Sequence, residues 1–266
     1  MKIGLFDSGL GGLIVTHSLI QAMPQYDYVY LGDTARVPYG NRSQEVIYAF
    51  TRSAVDHLFS LDCQLVILAC NTASAEALRR IQQEYLPEHY PGRRVLGVLI
   101  PAAEAAVATT KNGKVGVIAT QGTVDSGAYL REIHKLAPEI TIFQQAAPLL
   151  VPLVENNALQ YAPPILADYL RPLVEGGIDT LILGCTHYPL MKQLVQKCLP
   201  DTAQLVSQDE IVAEKLADYL RRHPEIEAKL SQGGKRRFCT TDVAPSTAAV
   251  AEHLFGEPVA MQKISL

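Results

Sequence analysis

Residues Leu65–Ser74 read LVILACNTAS, a run of branched apolar side chains that stops at a cysteine with small polar neighbours. A second stretch, Thr180–Pro189, reads TLILGCTHYP. It overlays the first from Val66–Thr72 onto Leu181–His187, so that Cys70 falls on Cys185. Continuous apolar runs of this length belong to strands buried on both faces of a parallel sheet, and each run ends where such a strand gives way to a loop. Two thiols are thereby delivered to equivalent strand ends.

An earlier echo extends the repeat. Lys2–Ser8 (KIGLFDS) overlays Lys114–Thr120 (KVGVIAT), 112 residues on, and the cysteine copies lie 115 residues apart in the same order. Matches at nearly one offset predict that a single βαβ unit occurs twice, with about three residues inserted between the copies. Around these strands the chain alternates further strands (Tyr28–Leu31, Val95–Leu99, Ile140–Phe143, Leu205–Val206, Arg237–Thr240) with helical patterns. The helices are expected at Leu13–Met23, Ser43–Phe59 with Ser43 as N-cap, Ala73–Tyr85, Ser126–Leu136, Tyr161–Glu175, Glu210–Arg222 and Ser246–Leu254. This rhythm predicts an α/β protein of two doubly wound parallel-sheet domains related by pseudo-duplication, with the active site between them. Residues 1–97 plus 208–266 would form the domain of Cys70, and 98–207 that of Cys185. The tail has no counterpart inside either copy and is expected to cross back to the first domain.

Composition excludes several classes of function. Of 266 residues, 48% are hydrophobic and 19% charged, which suits a globular protein with ample core. A net charge of -4 and a single basic cluster, Lys235-Arg236-Arg237, read as a solvated turn, leave no electrostatic basis for nucleic-acid binding. No apolar run reaches the ~18 residues of a membrane span, and the opening MKIGLF lacks the apolar region of a signal peptide. Five scattered cysteines do not form a disulfide framework, so a reducing cytoplasm is expected and no membrane partner.

Asp7-Ser8-Gly9-Leu10-Gly11-Gly12 is a glycine-rich turn between a strand and a helix. It lacks the dinucleotide spacing and the P-loop lysine, yet it sets Asp7 and Ser8 at the carboxyl end of a strand, where open α/β sheets bind ligands. Gly32–Gly40 is a loop long enough to be functional. Cys70 is followed by Asn71-Thr72 and Cys185 by Thr186-His187. A cysteine that ends a strand and begins the turn before a helix meets free N–H groups and a favourable dipole, so both thiols are expected to shift down toward neutrality, with His187 orienting or activating Cys185. A lone cysteine at a strand end is ordinarily a small buried hydrophobe. Metal-ligand spacing is lacking, and a single nucleophile would leave the second cysteine unused. Two matched thiols with polar successors point to proton transfer on opposite faces of one carbon, which is racemisation. Backbone N–H groups of the flanking turns would hold the carboxylate and stabilise the carbanion-like transition state.

Phe6-Asp7-Ser8-Gly9 with Gly11-Gly12, Val37-Pro38-Tyr39-Gly40, Ala69-Cys70-Asn71-Thr72-Ala73 and Gly184-Cys185-Thr186-His187-Tyr188-Pro189-Leu190 together resemble the glutamate racemases of the aspartate/glutamate racemase superfamily. The resemblance covers almost the whole chain. It implies interconversion of L- and D-glutamate with no cofactor, neither pyridoxal phosphate nor metal, to feed D-glutamate to peptidoglycan synthesis, in a homodimer. Carried over by position, it implies that Cys70 is the base acting on D-glutamate and Cys185 the base acting on L-glutamate. Asp7 would assist the first and His187 the second. Substrate contacts would come from Asp7, Ser8, Pro38, Tyr39, Gly40, Asn71, Thr72, Thr120, Thr123, Glu155, Thr186 and His187. The chain departs from the pattern at Ala147, where a cysteine often precedes the proline, and at Val206-Ser207-Gln208-Asp209, which lacks the usual Asp-Ser pair. Some members carry an N-terminal extension linked to regulation by a cell-wall precursor. This chain starts at its first strand, and that control is not expected. The rival readings are an aspartate racemase, disfavoured by Thr186-His187-Tyr188-Pro189, and a non-catalytic amino-acid-binding module that would need neither thiol.

Overall fold

The computed structural model describes residues 1–266. Ten strands form two wholly parallel sheets: β1 (Lys2–Asp7), β2 (Tyr28–Gly32), β3 (Cys63–Leu68), β4 (Arg94–Gly97), β5 (Lys114–Ala119), β6 (Thr141–Ala146), β7 (Thr180–Gly184), β8 (Gln204–Val206), β9 (Arg236–Thr240) and β10 (Met261–Lys263). The first sheet has the order β10-β9-β2-β1-β3-β4 and the second β6-β5-β7-β8. The inner order of the first, β2-β1-β3-β4, thus recurs in the second. Register recurs with it: Gly4 pairs with Val66 and Phe6 with Leu68, while Gly116 pairs with Leu181 and Ile118 with Leu183. These are the residues the sequence overlays on one another, so the repeat is a repeat of structure.

Every residue of β3 and β7 is buried, which explains why neither run alternates between apolar and polar. One apolar core packs β1, β3 and β7 against the helices Gly12–Ala22 and Gln208–Arg222, which run between the two sheets. The outer faces are closed by the helix Gln44–Ser60 on the first sheet and by Leu99–Thr109 and Ala128–Leu136 on the second. The tail adds β9 to β2 and β10 to β9. No helix is long and apolar enough to cross a membrane.

Several local expectations are corrected. The strand foreseen at Val95–Leu99 ends at Gly97, and Leu99 opens a helix that reaches Thr109. Pro101 does not stop it, because it sits in the first turn, where the N–H has no intrahelical partner to lose. The helical path after Cys70 continues beyond Tyr85 through a π turn at Ile81–Tyr85 and on to His89. Thr120 caps an unforeseen short helix, Gln121–Asp125, which left-handed Gly127 separates from Ala128–Leu136. Ser43 holds the N-cap position of its helix without a side-chain cap bond. Arg236 and Arg237 open β9 instead of forming a turn. The Arg236 guanidinium donates to the carbonyls of Tyr26 at 2.5 Å and Pro24 at 2.7 Å and lies 5.0 Å from the Tyr28 ring centroid.

Candidate active site

Loops leaving the carboxyl ends of six strands meet around one cavity of about 300 Å³, at the small end of the range for small-molecule sites. Ser8 follows β1, Pro38, Tyr39 and Gly40 follow β2, and Cys70, Asn71 and Thr72 follow β3. Thr120 follows β5, Glu155 lies beyond β6, and Cys185, Thr186 and His187 follow β7; all of these line the cavity. Asp7 and Thr123 do not line it but are buried close by. The two halves touch tightly here. A Cβ on Gly11 would lie 2.4 Å from Thr186 Oγ1 and 2.6 Å from the His187 ring, a closeness that only glycine permits.

Cys70 is the N-cap of the short helix Asn71–Glu76. Its Sγ accepts the Ala73 N–H at 3.4 Å and donates to Ser8 Oγ at 3.3 Å. Burial pushes the thiol up to about 12; the Asp7 carboxylate adds to the rise, and Ser8 and the Ala73 amide oppose it. The downward shift expected from the helix N-terminus is therefore reversed at Cys70: one turn of free N–H groups offsets less than the loss of water. Asp7 is itself pushed up by burial, against the pull of His187 and the amides of Gly12 and Gly9. Its Oδ2 accepts the Gly9 N–H at 3.1 Å and its Oδ1 has no partner. This side of the cavity holds a protonated thiol beside a carboxyl that resists ionisation.

Cys185 is held differently. The turn before its helix is a 3₁₀ turn at Tyr188–Met191, tied by the Tyr188 N–H to the Cys185 carbonyl at 3.1 Å and leading into the helix Lys192–Lys197. Cys185 Sγ lies 3.8 Å from His187 Nδ1, and His187 Nε2 lies 3.0 Å from Glu155 Oε1. Burial works against charge on His187, yet Cys185 and Glu155 together raise it to about 10. The imidazole is therefore held protonated, with one ring nitrogen facing Cys185 and the other Glu155.

Three hydroxyls from the two halves close a triangle: Thr72 with Thr120 at 3.0 Å, Thr72 with Thr123 at 3.3 Å, and Thr120 with Thr123 at 2.9 Å. Beside it the Gly122 N–H donates to the Gly40 carbonyl at 2.8 Å, joining the loop after β2 to the turn after β5. The Tyr39 hydroxyl is spent on Asp33 at 2.5 Å, which also accepts from Arg36 Nε at 2.6 Å and Thr241 Oγ1 at 2.9 Å. Tyr39 thus serves the cavity through its ring and backbone. Two residues near the site, Gln208 and Tyr129, escaped the sequence reading; both bond to Asn71. The only sign of Gln208 in the sequence was that it stands where the resemblance breaks.

The fold and this paired-thiol cavity define an amino-acid racemase: residues 3–214 match the model of the Asp/Glu/Hydantoin racemase family, and the chain belongs to that family. Among its relatives, the glutamate racemase of Persephonella marina is 40% identical over 269 residues, covering 100% of this chain and 98% of that protein. The structure is similar to that of glutamate racemase isoform RacE1 from Bacillus anthracis, with a TM-score of 0.91 at 34% identity over 100% of this chain and 97% of that one. It is also similar to the glutamate racemase of Francisella tularensis, solved in complex with D-glutamate, with a TM-score of 0.89 at 30% identity over 99% and 97% of the respective chains.

Proposed function

We propose that this chain interconverts L- and D-glutamate without a cofactor, Cys70 and Cys185 acting from opposite sides of the α-carbon. The observation that carries the reading is that two cysteines from equivalent strand ends of two repeated sheets wall a single buried cavity. In one direction the Cys185 sulfur takes the α-proton and Cys70 returns its own proton to the other face. The α-carbon inverts, the substrate's α-proton stays on Cys185 and the Cys70 proton leaves on the product, so the protonated thiol is now Cys185 and the ionised one Cys70. The reverse reaction starts from that second state.

Before substrate arrives, the polar surroundings differ. Cys70 holds its proton and directs it at Ser8, which suits an acid, while His187 beside Cys185 suits a base. The resting protein is accordingly set to act on the enantiomer whose α-hydrogen faces Cys185, which the family resemblance identifies as L-glutamate. The ammonium group of the substrate adds a positive charge to the cavity and favours ionised sulfur on either side. The threonine triangle and the turn amides supply neutral donors for the carboxylates, which grip the substrate without adding a competing acid.

The same reading gives domains of residues 1–97 plus 208–266 and 98–207, a cytoplasmic homodimer, and D-glutamate destined for peptidoglycan. Sedimentation equilibrium checks the dimer, and a monomer at working concentration contradicts it. The activity is tested by chiral analysis of purified protein incubated with L-glutamate and no added cofactor. D-Glutamate should accumulate until the enantiomers are equal. No D-glutamate, or faster inversion of aspartate, contradicts the reading.

A further inference from the structure

Gln208 opens the helix Gln208–Arg222 and is completely buried, an unusual place for an uncharged polar side chain unless all its bonds are made. They are made to one residue of each half. Its Nε2 donates to Asn71 Oδ1 at 2.7 Å and to the Tyr129 hydroxyl at 3.2 Å, and its Oε1 accepts from Asn71 Nδ2 at 3.2 Å. The Tyr129 hydroxyl in turn donates to Asn71 Oδ1 at 2.8 Å. Both amides turned over together would keep these contacts but would leave one Gln208 N–H buried with no partner, since its Oε1 position meets Asn71 alone, and this fixes the directions as given. Asn71 Oδ1 receives two hydrogens, one Nδ2 hydrogen goes to Gln208, and a single Nδ2 hydrogen is left over. Asn71 lines the cavity, so that remaining N–H is the only side-chain donor it can offer to a ligand.

We infer that Gln208 is a positioning residue which locks the Asn71 amide so that it presents an N–H, and never its oxygen, to an anionic group of the substrate. This deepens the reading of the chain as a glutamate racemase and rests on it. An amide has two faces of similar shape and opposite polarity. With Gln208 absent, Asn71 can turn over and set a carbonyl oxygen where a carboxylate must lie. Tyr129 alone does not prevent this, since a hydroxyl can accept as readily as it donates. Gln208 removes that freedom because following the turn would bury one of its own N–H groups with no partner.

The test compares Gln208→Glu and Gln208→Met with the unaltered protein, measuring KM and kcat for both glutamate enantiomers from about pH 6 to about pH 9, a range over which a buried carboxyl can titrate. When ionised, the new carboxylate of Gln208→Glu only accepts, so Asn71 must turn its donors toward it and its oxygen toward the cavity. When protonated, it donates an O–H as the amide did. The titratable groups facing it are Tyr129 and, through Tyr129, Cys185; next along the chain Asp209 is paired with Lys192 at 2.7 Å. Both of those pairs are present in the unaltered protein, so ratios to it isolate the new group.

The KM ratio of Gln208→Glu should be near one at the acid end and rise about ten- to a hundredfold with pH for both enantiomers, in keeping with loss of a hydrogen bond to a charged group. The kcat ratio should change much less. Gln208→Met should show a raised KM ratio that does not move with pH. A pH-independent ratio for Gln208→Glu, or a change confined to kcat or to the melting temperature, overturns the positioning role. If Gln208→Glu fails to fold, an unchanged KM in Gln208→Met overturns it, and a raised KM at unchanged kcat supports it. The unaltered protein separates the two readings: no turnover of glutamate by it overturns both, whereas turnover with pH-independent variant ratios overturns only the role of Gln208.

Discussion

The two cysteine strands are near copies in sequence, burial and register, yet their ends are electrostatically unlike. At the end of β3, Cys70 caps a short helix, keeps its proton and neighbours a carboxyl pushed up by burial. At the end of β7, Cys185 caps no helix, being followed by a 3₁₀ turn, and leans on a histidine raised to about 10 by that cysteine and Glu155. On the proposed mechanism, duplication supplied the symmetry that places a thiol on each face of a carbon. Divergence in the next residues supplied different proton partners. The chemistry limits how that difference can show itself. The two enantiomers of a free amino acid have equal free energy, so kcat/KM must be the same in both directions. Asymmetry between the sides must appear in kcat and KM separately, and in isotope effects.

The comparison breaks most completely if either thiol is dispensable. Cys70→Ser and Cys185→Ser should each lower racemisation by about a thousandfold or more, as measured by chiral chromatography, since each removes one of two required proton carriers. A variant that retains a tenth of the activity would mean that one sulfur serves both faces. Next in size is Gly11→Ala, which drives a Cβ into Thr186 and His187. It should cut kcat/KM by about tenfold or more, the effect of overpacking at a contact that cannot yield. An unchanged rate would show that the approach of the two halves is looser than the structure has it.

Glu155→Gln and Asp7→Asn sharpen the comparison by acting on one side each. With the first, kcat/KM should fall about tenfold in both directions, while the primary isotope effect grows for L-[2-²H]glutamate and shrinks for the D isomer. Asp7→Asn should give the opposite pattern with a smaller loss. Equal changes in the two isotope effects would contradict the assignment of sides. Asp7→Asn should also raise the melting temperature by about 2 °C or more, because a buried carboxyl raised by burial costs stability once ionised.

A further effect, on stability alone, is its dependence on pH. In the fold His187 binds its proton up to about 10, against 6.5 ordinarily. The fold therefore holds the extra proton. The stability this contributes is complete below about pH 6.5 and is lost as pH rises toward about pH 10. Melting temperatures taken across that interval should fall, and His187→Asn should flatten the fall.

The repeated strands were legible because a strand buried on both faces leaves a run that nothing on the surface imitates, and the cysteines inherit their places from those strands. The helix Leu99–Thr109 was not legible: its sequence LIPAAEAAVAT is apolar on nearly every side, so it offers no periodic contrast, and Pro101 resembles a stop. Arg236 was misread because the carbonyls and ring that hold it lie more than two hundred residues away in the chain. The rise of Cys70 to about 12 was illegible for a related reason. Its cause, the exclusion of water, belongs to the assembled cavity and to no local motif. Glu155 entered the site from its place in the family pattern alone, and the structure adds its contact with His187 Nε2 at 3.0 Å.

The central claim is one thiol for each face, and it is tested most directly by α-proton exchange in deuterated buffer with each enantiomer offered separately to Cys185→Ala and Cys70→Ala. The account predicts that Cys185→Ala exchanges deuterium into D-glutamate only and Cys70→Ala into L-glutamate only, in both cases without inversion. Exchange of both enantiomers by either variant would contradict it.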